Sequence, residues 1–199
     1  MSTATLGTPA PARKPRAPRR GIAVGGPDSL WETIDGVMVE KPAMSSLSGT
    51  IASSMLISIG TVARAQKLGR SVMEVLFKLS PNAKRTWRPD AAFVSYERWP
   101  KDRAVPVGEP WEVVPDLAIE VQSPSNLDEA TRMRMQAYFA DGVRAVWIVY
   151  PSIRQVYVYD SPASVRVLQL GDSLDGGTVL PGFSMPLDTL FEDVPVEAS

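Results

Sequence analysis

The chain has 199 residues, of which 44% are hydrophobic and 22% charged, with a net charge of −1, the composition of a soluble globular protein. It contains no Cys and no His, which excludes disulfide bonds, thiolate or imidazole metal sites and a histidine-based triad. Any catalysis would therefore depend on carboxylates, amines, hydroxyls or a hard metal ion such as Mg²⁺ or Mn²⁺. No apolar run approaches the roughly 18 residues that span a bilayer, and the amino terminus lacks a signal-peptide core, so we expect a cytoplasmic protein without a membrane partner.

The amino-terminal segment differs in composition from the rest of the chain. Residues 1–20 hold five basic residues and no acid, and removing these five positive charges from a net charge of −1 leaves −6 for the remainder. Residues 1–22 are nearly free of bulky apolar side chains and are predicted to form a disordered basic tail. Non-specific phosphate binding and a solubilising leader both fit this tail; an organelle transit peptide fits less well, because Ser is sparse. Residues 23–199 are predicted to form a single domain.

The first half of that domain predicts a hairpin, a helix and two strands. Residues 30–42 flank Asp35-Gly36, a dipeptide typical of tight hairpin turns. Apolar residues near helical spacing then predict a helix, and two stretches rich in Val, Phe and Tyr predict strands. The helix is expected over 43–69, and the strands over 71–81 and 88–99.

The second half predicts a strand–helix–strand unit followed by a meander. Residues 145–151 form a nearly continuous apolar run, typical of a strand covered on both faces. The helix before this run is predicted to end at Gly142. Strands are expected over 116–122, 145–151, 154–161 and 164–171, and further strands or a hairpin over 176–183. This order indicates an α/β (α+β) fold: a mixed sheet flanked by helices, with an N-terminal hairpin and a C-terminal meander.

The stretch PDLAIEVQSPSN, residues 115–126, contains the side chains best suited to chemistry. Residues two apart in a strand share a face, so Asp116, Glu120 and Gln122 line one side and apolar residues line the other. This pattern fits either an exposed strand of an antiparallel sheet or a strand whose polar side holds a metal ion. If the two strands are neighbours, Asp90 of the earlier strand would meet Glu120. Two such carboxylates repel unless a divalent cation or a proton lies between them, and a cation there would activate water against a phosphodiester.

The same segments resemble the Uma-two restriction-endonuclease family of the PD-(D/E)XK nuclease superfamily. The resemblance is carried by RPDAAFV, PDLAIEVQSPSN and MQAYFADGVRAVWIVYP, and by LWETIDGVMVEKPAMS and VLPGFSMPLDTLF towards the two ends. It runs from about residue 30 to 191 in the expected order. It implies a restriction-endonuclease-like fold, with helices on both sides of a mixed sheet, and Mg²⁺-dependent cleavage of DNA.

The resemblance also implies which acids bind the metal. Asp90 matches the acid of the first motif strand and Glu120 the acid of the second, and both are predicted to be catalytic metal ligands. The backbone carbonyl of Val121 is a candidate further oxygen. Asp116 and Glu40 are secondary candidates, with a turn residue and a surface ion pair as the respective alternatives.

The lysine that the superfamily places two residues after the second acid is absent here, where the chain has Gln122. Members of the family often carry this lysine on the following helix, four residues before a tyrosine. That tyrosine is Tyr138 in this chain, so the matching residue is Arg134. Gln122 and Arg134 are predicted to stand around the water and the scissile phosphate, although Arg does not deprotonate and Gln cannot remove a proton.

Two functions remain open at this point. The first is a metal-dependent endonuclease, a hydrolase that cleaves DNA with Mg²⁺ or Mn²⁺; the second is a non-catalytic nuclease-fold module that binds nucleic acid or protein. Loss of the lysine favours the module, and retention of both acids favours the nuclease. Homodimerisation fits a small nuclease that cuts both strands. A basic rim that would hold DNA is predicted from Lys84, Arg85, Arg88, Arg98, Lys101 and Arg103.

Overall fold

The computed structural model of the protein describes residues 30–79, 85–108, 110–122 and 129–194. The predicted tail over 1–22 lies outside the described residues, and the single domain over 23–199 stays a prediction. The first described element is the expected hairpin of β1 (Leu30–Ile34) and β2 (Val37–Lys41), which pair antiparallel. Its two turn residues, Asp35 and Gly36, have φ values of 51° and 83°, the left-handed backbone that a two-residue hairpin turn requires.

Helix α1 (Ser46–Ala65) lies inside the predicted range. The hydroxyl oxygen of Ser45 accepts a hydrogen bond of 3.1 Å from the backbone N–H of Ser48 and so caps the first turn. By length and composition, α1 is the one helix among the described residues that could cross a membrane. One side of this helix packs into the protein core. The buried side chains recur at helical spacing and include Ile51, Met55 and Ile59.

A six-stranded mixed sheet forms the centre of the molecule. In spatial order its strands are β3 (Gly69–Met73), β4 (Ala91–Ser95), β5 (Leu117–Val121), β6 (Ala145–Tyr150), β7 (Gln155–Ser161) and β8 (Ser164–Leu168). Neighbouring strands are antiparallel except β5 and β6, which are parallel, with α2 (Glu129–Ala140) between them in the sequence. The strand expected over 71–81 ends early because the chain turns out of the sheet at Glu74, whose φ is 49°.

The C-terminal part forms the expected meander of β6, β7 and β8 and then a small hairpin. A single 3₁₀ turn (Pro151–Ile153) precedes β7. The strands of the hairpin, β9 (Ser173–Asp175) and β10 (Ser184–Pro186), flank the range 176–183 in which further strands or a hairpin were expected, and this range forms the connection. A short helix, α3 (Leu187–Leu190), follows β10.

Helices cover the sheet on both faces, and the sheet divides the core in two. On one face, α1 packs with α3 over Ile119 and Trp147. On the other face, Met135 and Tyr138 of α2 lie in a second core with Ala118. All five residues of β5 are therefore buried. The alternative of an exposed strand for PDLAIEVQ is wrong, because α2 covers the side of β5 that carries the polar residues.

Candidate active site

Asp90 and Glu120 lie side by side at the adjoining ends of β4 and β5. In the antiparallel register Ala91 pairs with Ile119, so the next step along both strands brings Asp90 opposite Glu120. The backbone N–H of Val121 donates a 2.7 Å hydrogen bond to Oδ2 of Asp90, which fixes the orientation of that carboxylate. Asp90 and Glu120 are only 4% and 5% exposed. The pairing expected from the sequence is thus present, and it is almost fully withdrawn from solvent.

Both carboxylates open onto one cleft of about 420 Å³. The cleft lies between the end of the hairpin, the first turn of α1 and the amino-terminal half of α2. Its polar lining includes both acids, two cations and neutral side chains: Lys41, Ser45, Ser48, Asp90, Glu120, Gln122, Thr131 and Arg134. A concave site that combines apolar walls with a few convergent polar groups is the usual form of a ligand pocket.

The last residue of β2 brings a positive charge to Asp90. The ammonium of Lys41 donates hydrogen bonds to Oδ1 of Asp90 at 2.7 Å and to the carbonyl oxygen of Arg88 at 2.8 Å. The Lys41 side chain is 8% exposed. Since this lysine comes from the hairpin, the site contains a lysine even though neither of the two positions considered in the sequence has one.

Arg134 of α2 is held by a buried glutamate of the hairpin. Its two terminal nitrogens donate to the two carboxylate oxygens of Glu32 at 2.7 and 2.8 Å, a bidentate pair. Oε1 of Glu32 also accepts the backbone N–H of Arg88 at 2.7 Å. The guanidinium carbon of Arg134 lies 5.0 Å from the ring centroid of Trp87, and one terminal nitrogen is 3.6 Å from Oε1 of Glu120. Arg134 therefore links the hairpin to the carboxylate pair.

The Glu120 carboxylate accepts a hydrogen bond of 2.6 Å from the hydroxyl of Tyr138, one turn further along α2 than Arg134. Burial raises the pKa of Glu120, and the negative charge of Asp90 adds to this effect. Arg134, Lys41 and the Tyr138 hydroxyl act in the opposite direction but do not cancel it, and the pKa of Glu120 rises to about 7. The carboxylate would thus be only partly ionised near neutral pH.

Charge counting explains why this proton is retained. The contacting side chains comprise three carboxylates and two cations, so their sum is −1 when all are ionised and zero when one carboxylate holds a proton. In a buried site an uncompensated charge is costly. A proton on Glu120 brings the sum to zero, and a divalent cation would change it from −1 to +1. The carboxylates are Glu32, Asp90 and Glu120, and the cations are Lys41 and Arg134.

Gln122 lies just beyond the end of β5 and lines the same cleft. Its backbone N–H donates to the carbonyl oxygen of Val149 at 2.8 Å, which extends the pairing with β6 by one residue. Its side-chain oxygen accepts a weak hydrogen bond of 3.3 Å from the hydroxyl of Thr131 on α2. The amide is thereby held between the sheet and the helix at the mouth of the cleft.

Two secondary candidates are not brought to the cleft. Asp116 lies at the opposite end of β5. Its Oδ1 is 3.0 Å from Nε of Arg98 and 3.0 Å from a terminal nitrogen of Arg144. Its Oδ2 accepts a 2.7 Å hydrogen bond from the backbone N–H of Ser95. These contacts bind β5 to the segments after β4 and α2. Glu40 is exposed and adjoins Lys41 in β2, so its side chain is on the other face of the hairpin.

Two residues of the predicted basic rim, Arg88 and Arg98, have their partners within the protein. Arg98 follows the end of β4 that is remote from Asp90 and pairs with Asp116. Arg88 is buried, and its guanidinium donates to the backbone carbonyl of Glu74. Lys84 lies outside the described residues. The rim prediction is therefore wrong for Arg98 and Arg88, because both are used inside the protein.

Sequence reasoning missed Glu32 and Lys41 and used Tyr138 only as a landmark. All three contact the acid pair directly or through Arg134. A signal for two of them was present in the hairpin. With Asp35-Gly36 as a two-residue turn, Leu30 pairs with Lys41, so Glu32 and Lys41 share one face of the hairpin.

The chain matches the model of the Uma2 family, described as "Putative restriction endonuclease", over residues 22–188. It is also similar to a crystal structure described as "a putative nuclease belonging to DUF820" from Anabaena variabilis ATCC 29413, with a TM-score of 0.68, 19% identity, and coverage of 83% of this chain and 91% of that chain. At this identity the likeness shows the fold alone, and it confirms the predicted restriction-endonuclease-like sheet flanked by helices. No curated protein matches the sequence. Because the family model spans most of its length, this chain belongs to the Uma2 family.

Proposed function

We propose that this chain is a metal-dependent endonuclease that hydrolyses phosphodiester bonds of DNA in the cytoplasm. The observation that carries the proposal is the buried pair of Asp90 and Glu120 at the edge of one cleft. Burial and the charge of Asp90 raise the pKa of Glu120 to about 7, so the pair is fully ionised at neutral pH only when a cation compensates it. Paired carboxylates repel a polyanion, and their presence is therefore better explained by metal chemistry than by DNA binding alone.

The donor set fits a hard divalent cation. Carboxylate oxygens are ligands that Mg²⁺ and Mn²⁺ prefer. In the part of the chain that the structure describes, no three acidic side chains are grouped closely enough to enclose an ion. This still fits Mg²⁺, which is commonly held by one or two carboxylates together with water and substrate phosphates. Asp90 and Glu120 would hold the ion, with the Val121 carbonyl as a further oxygen, and the ion would supply an activated water and offset charge on the phosphate.

The surrounding residues would keep the carboxylates in position. The Tyr138 hydroxyl donates a hydrogen bond to Oε1 of Glu120, so the other carboxylate oxygen, Oε2, would be the one to bind the ion. Arg134 donates both terminal nitrogens to Glu32, so we assign it as a positioning residue for Glu120 and not as a contact of the scissile phosphate. Gln122 lines the cleft and can orient water or a phosphate oxygen through its amide, but it cannot act as a base.

Nicking of supercoiled plasmid DNA in Mg²⁺ or Mn²⁺ tests the proposal. Asp90→Asn and Glu120→Gln should each lower the nicking rate by more than about 100-fold, because loss of the supporting partner of a metal ligand already costs roughly 10–100-fold. The matched control is Glu97→Gln, which removes an exposed carboxylate paired with Arg144 at 2.9 Å. The control should nick at the wild-type rate. Nicking that persists in both cleft variants would contradict the assignment of the site.

Metal titration separates the nuclease from the non-catalytic module. By calorimetry the wild-type protein should bind Mn²⁺, and Glu120→Gln should lose that binding. Binding of DNA without a carboxylate-dependent Mn²⁺ site would favour the module. Homodimerisation stays a prediction, which sedimentation of the full chain with and without DNA would test.

A further inference from the structure

Lys41 is a cation of the cleft that can exchange its partner. It forms two hydrogen bonds, to Asp90 and to the Arg88 carbonyl, and so uses two of the three donors of its ammonium. We propose that Lys41 leaves Asp90 when a divalent cation binds there and that its ammonium then contacts a phosphate oxygen of the DNA strand. This inference rests on the nuclease function proposed above and assigns Lys41 as a phosphate-binding residue.

The Lys41–Asp90 contact and a metal ion on Asp90 oppose one another. Oδ2 of Asp90 accepts the Val121 N–H at 2.7 Å, and Oδ1 accepts the Lys41 ammonium at 2.7 Å. A divalent cation on the same carboxylate would be repelled by an ammonium so close to it. The Val121 N–H is fixed in β5, whereas the four-carbon side chain of Lys41 can turn about its single bonds. Lys41 is therefore the partner that gives way.

The other cation in the cleft lining is committed elsewhere. Arg134 donates both of its terminal nitrogens to Glu32, and its guanidinium lies near the face of Trp87. Moving it would leave Glu32 as a buried carboxylate without its bidentate partner, which is strongly unfavourable. When Lys41 moves it gives up its hydrogen bond to the Arg88 carbonyl, but the metal ion replaces its charge beside Asp90. Lys41 is thus the side chain that can serve an incoming anion.

The cleft offers such an anion a place next to Lys41. Its lining continues from Lys41 along residues 42–45 to Ser48 in the first turn of α1. The amino-terminal end of a helix carries partial positive charge, which favours an anion nearby. A phosphate bound in this part of the cleft would be attracted both by the Lys41 ammonium and by a cation held on Asp90 and Glu120.

The test measures metal affinity and DNA cleavage in the same variants. Lys41→Gln should bind Mn²⁺ about tenfold more tightly than wild type by calorimetry. This factor is the usual size of a coupling free energy, here between the ammonium and the metal ion that compete for Asp90. At saturating Mn²⁺ the same variant should nick plasmid DNA about tenfold more slowly, because the phosphate contact is lost. The matched control is Lys78→Gln, which removes a surface lysine paired with Glu112 at 2.9 Å and should change neither quantity.

Lys41→Arg gives a second measurement if Lys41→Gln folds poorly. It retains the charge, so its Mn²⁺ affinity should stay within about threefold of wild type while its nicking is only partly reduced. The proposal is overturned if Lys41→Gln binds Mn²⁺ no more tightly than wild type, or if it nicks at the wild-type rate with saturating Mn²⁺. It is also overturned if Lys41→Arg gains Mn²⁺ affinity as Lys41→Gln does, since the charge would then be irrelevant.

Failure of this inference is distinguishable from failure of the nuclease proposal. If Glu120→Gln abolishes Mn²⁺ binding and nicking while Lys41→Gln behaves as wild type, the nuclease stands and the role of Lys41 falls. If the wild-type protein binds Mn²⁺ but nicks no DNA, binding of a labelled DNA duplex in Ca²⁺ replaces the nicking assay. Weaker duplex binding by Lys41→Gln, with tighter Mn²⁺ binding, would then still support the phosphate contact. If neither wild type nor Lys41→Gln binds Mn²⁺, both proposals are wrong.

Discussion

Replacing Glu120 by Gln is expected to stabilise the metal-free protein at alkaline pH. The folded protein raises the pKa of this carboxyl from 4.5 to about 7, chiefly through burial. A tenfold change in an acid dissociation constant corresponds to about 1.4 kcal/mol, so the ionised carboxylate reduces the free energy of unfolding by about 3 kcal/mol at most. This penalty is fully present above the folded pKa and vanishes as the pH falls towards 4.5. The amide cannot ionise and still offers Tyr138 an oxygen acceptor, so Glu120→Gln avoids the penalty.

Urea unfolding in EDTA at about pH 8 and about pH 4.5, carried out on both proteins, measures this effect. Glu120→Gln should be the more stable protein at the higher pH, and the difference should shrink towards zero at the lower pH. Glu97→Gln is the control of opposite sign, since a hydrogen bond from Arg144 lowers the pKa of Glu97. A Glu120→Gln protein that is less stable than wild type at about pH 8, or a difference that does not change with pH, would refute the reasoning.

Substitutions at four further positions test other parts of the structure. Arg134→Ala leaves Glu32 buried without its bidentate partner and should lower the free energy of unfolding by about 3–5 kcal/mol in urea, with Arg134→Lys recovering only part. Gly69→Ala would bring a methyl group within 2.2 Å of a backbone oxygen of β4 and should lower the free energy of unfolding by about 3 kcal/mol or more. Gly49→Ala, in the first half of α1 where no atom lies within 4 Å of the added methyl group, should raise that free energy by about 0.5–1 kcal/mol, measured by thermal unfolding. Asp116→Asn should lower the melting temperature yet leave calorimetric Mn²⁺ affinity and nicking at wild-type values; reduced Mn²⁺ affinity would restore it as a ligand.

The fold and the central acid pair could be predicted because their signals are local or follow from strand register. Asp35-Gly36 defines the first hairpin, and the apolar run over 145–151 identifies the buried β6. The pairing of Asp90 with Glu120 needed only the assumption that β4 and β5 are neighbours. The exposed-strand alternative for β5 had a physical basis: polar alternation is typical of an exposed face, and the sequence did not indicate that α2 would cover this one.

The cations of the site could not be assigned because they depend on how distant elements dock. Alternation along the hairpin predicts that Glu32 and Lys41 share a face, but nothing local indicates that this face packs against Arg88 and Asp90. Arg134 was expected beside the scissile phosphate, and its engagement with Glu32 depends on the same docking. The sequence therefore brought Asp90 and Glu120 together, but it did not show that Glu32 and Lys41 would join them and pair with Arg134 and Asp90.

The β1–β2 hairpin is a separate two-stranded sheet, and this has a consequence for folding kinetics. Its contacts with the remainder join residues far apart in the sequence, as in the Glu32–Arg134 pair with a separation of 102 residues. Contacts of such long range form late, because the loop entropy must be overcome first. Val37 and Met38 of β2 are 63% and 65% exposed, so few apolar contacts retain this strand. Amide hydrogens of the hairpin should therefore exchange with solvent through a local opening well below the free energy of global unfolding, and each opening would withdraw Lys41 and Glu32 from the site together.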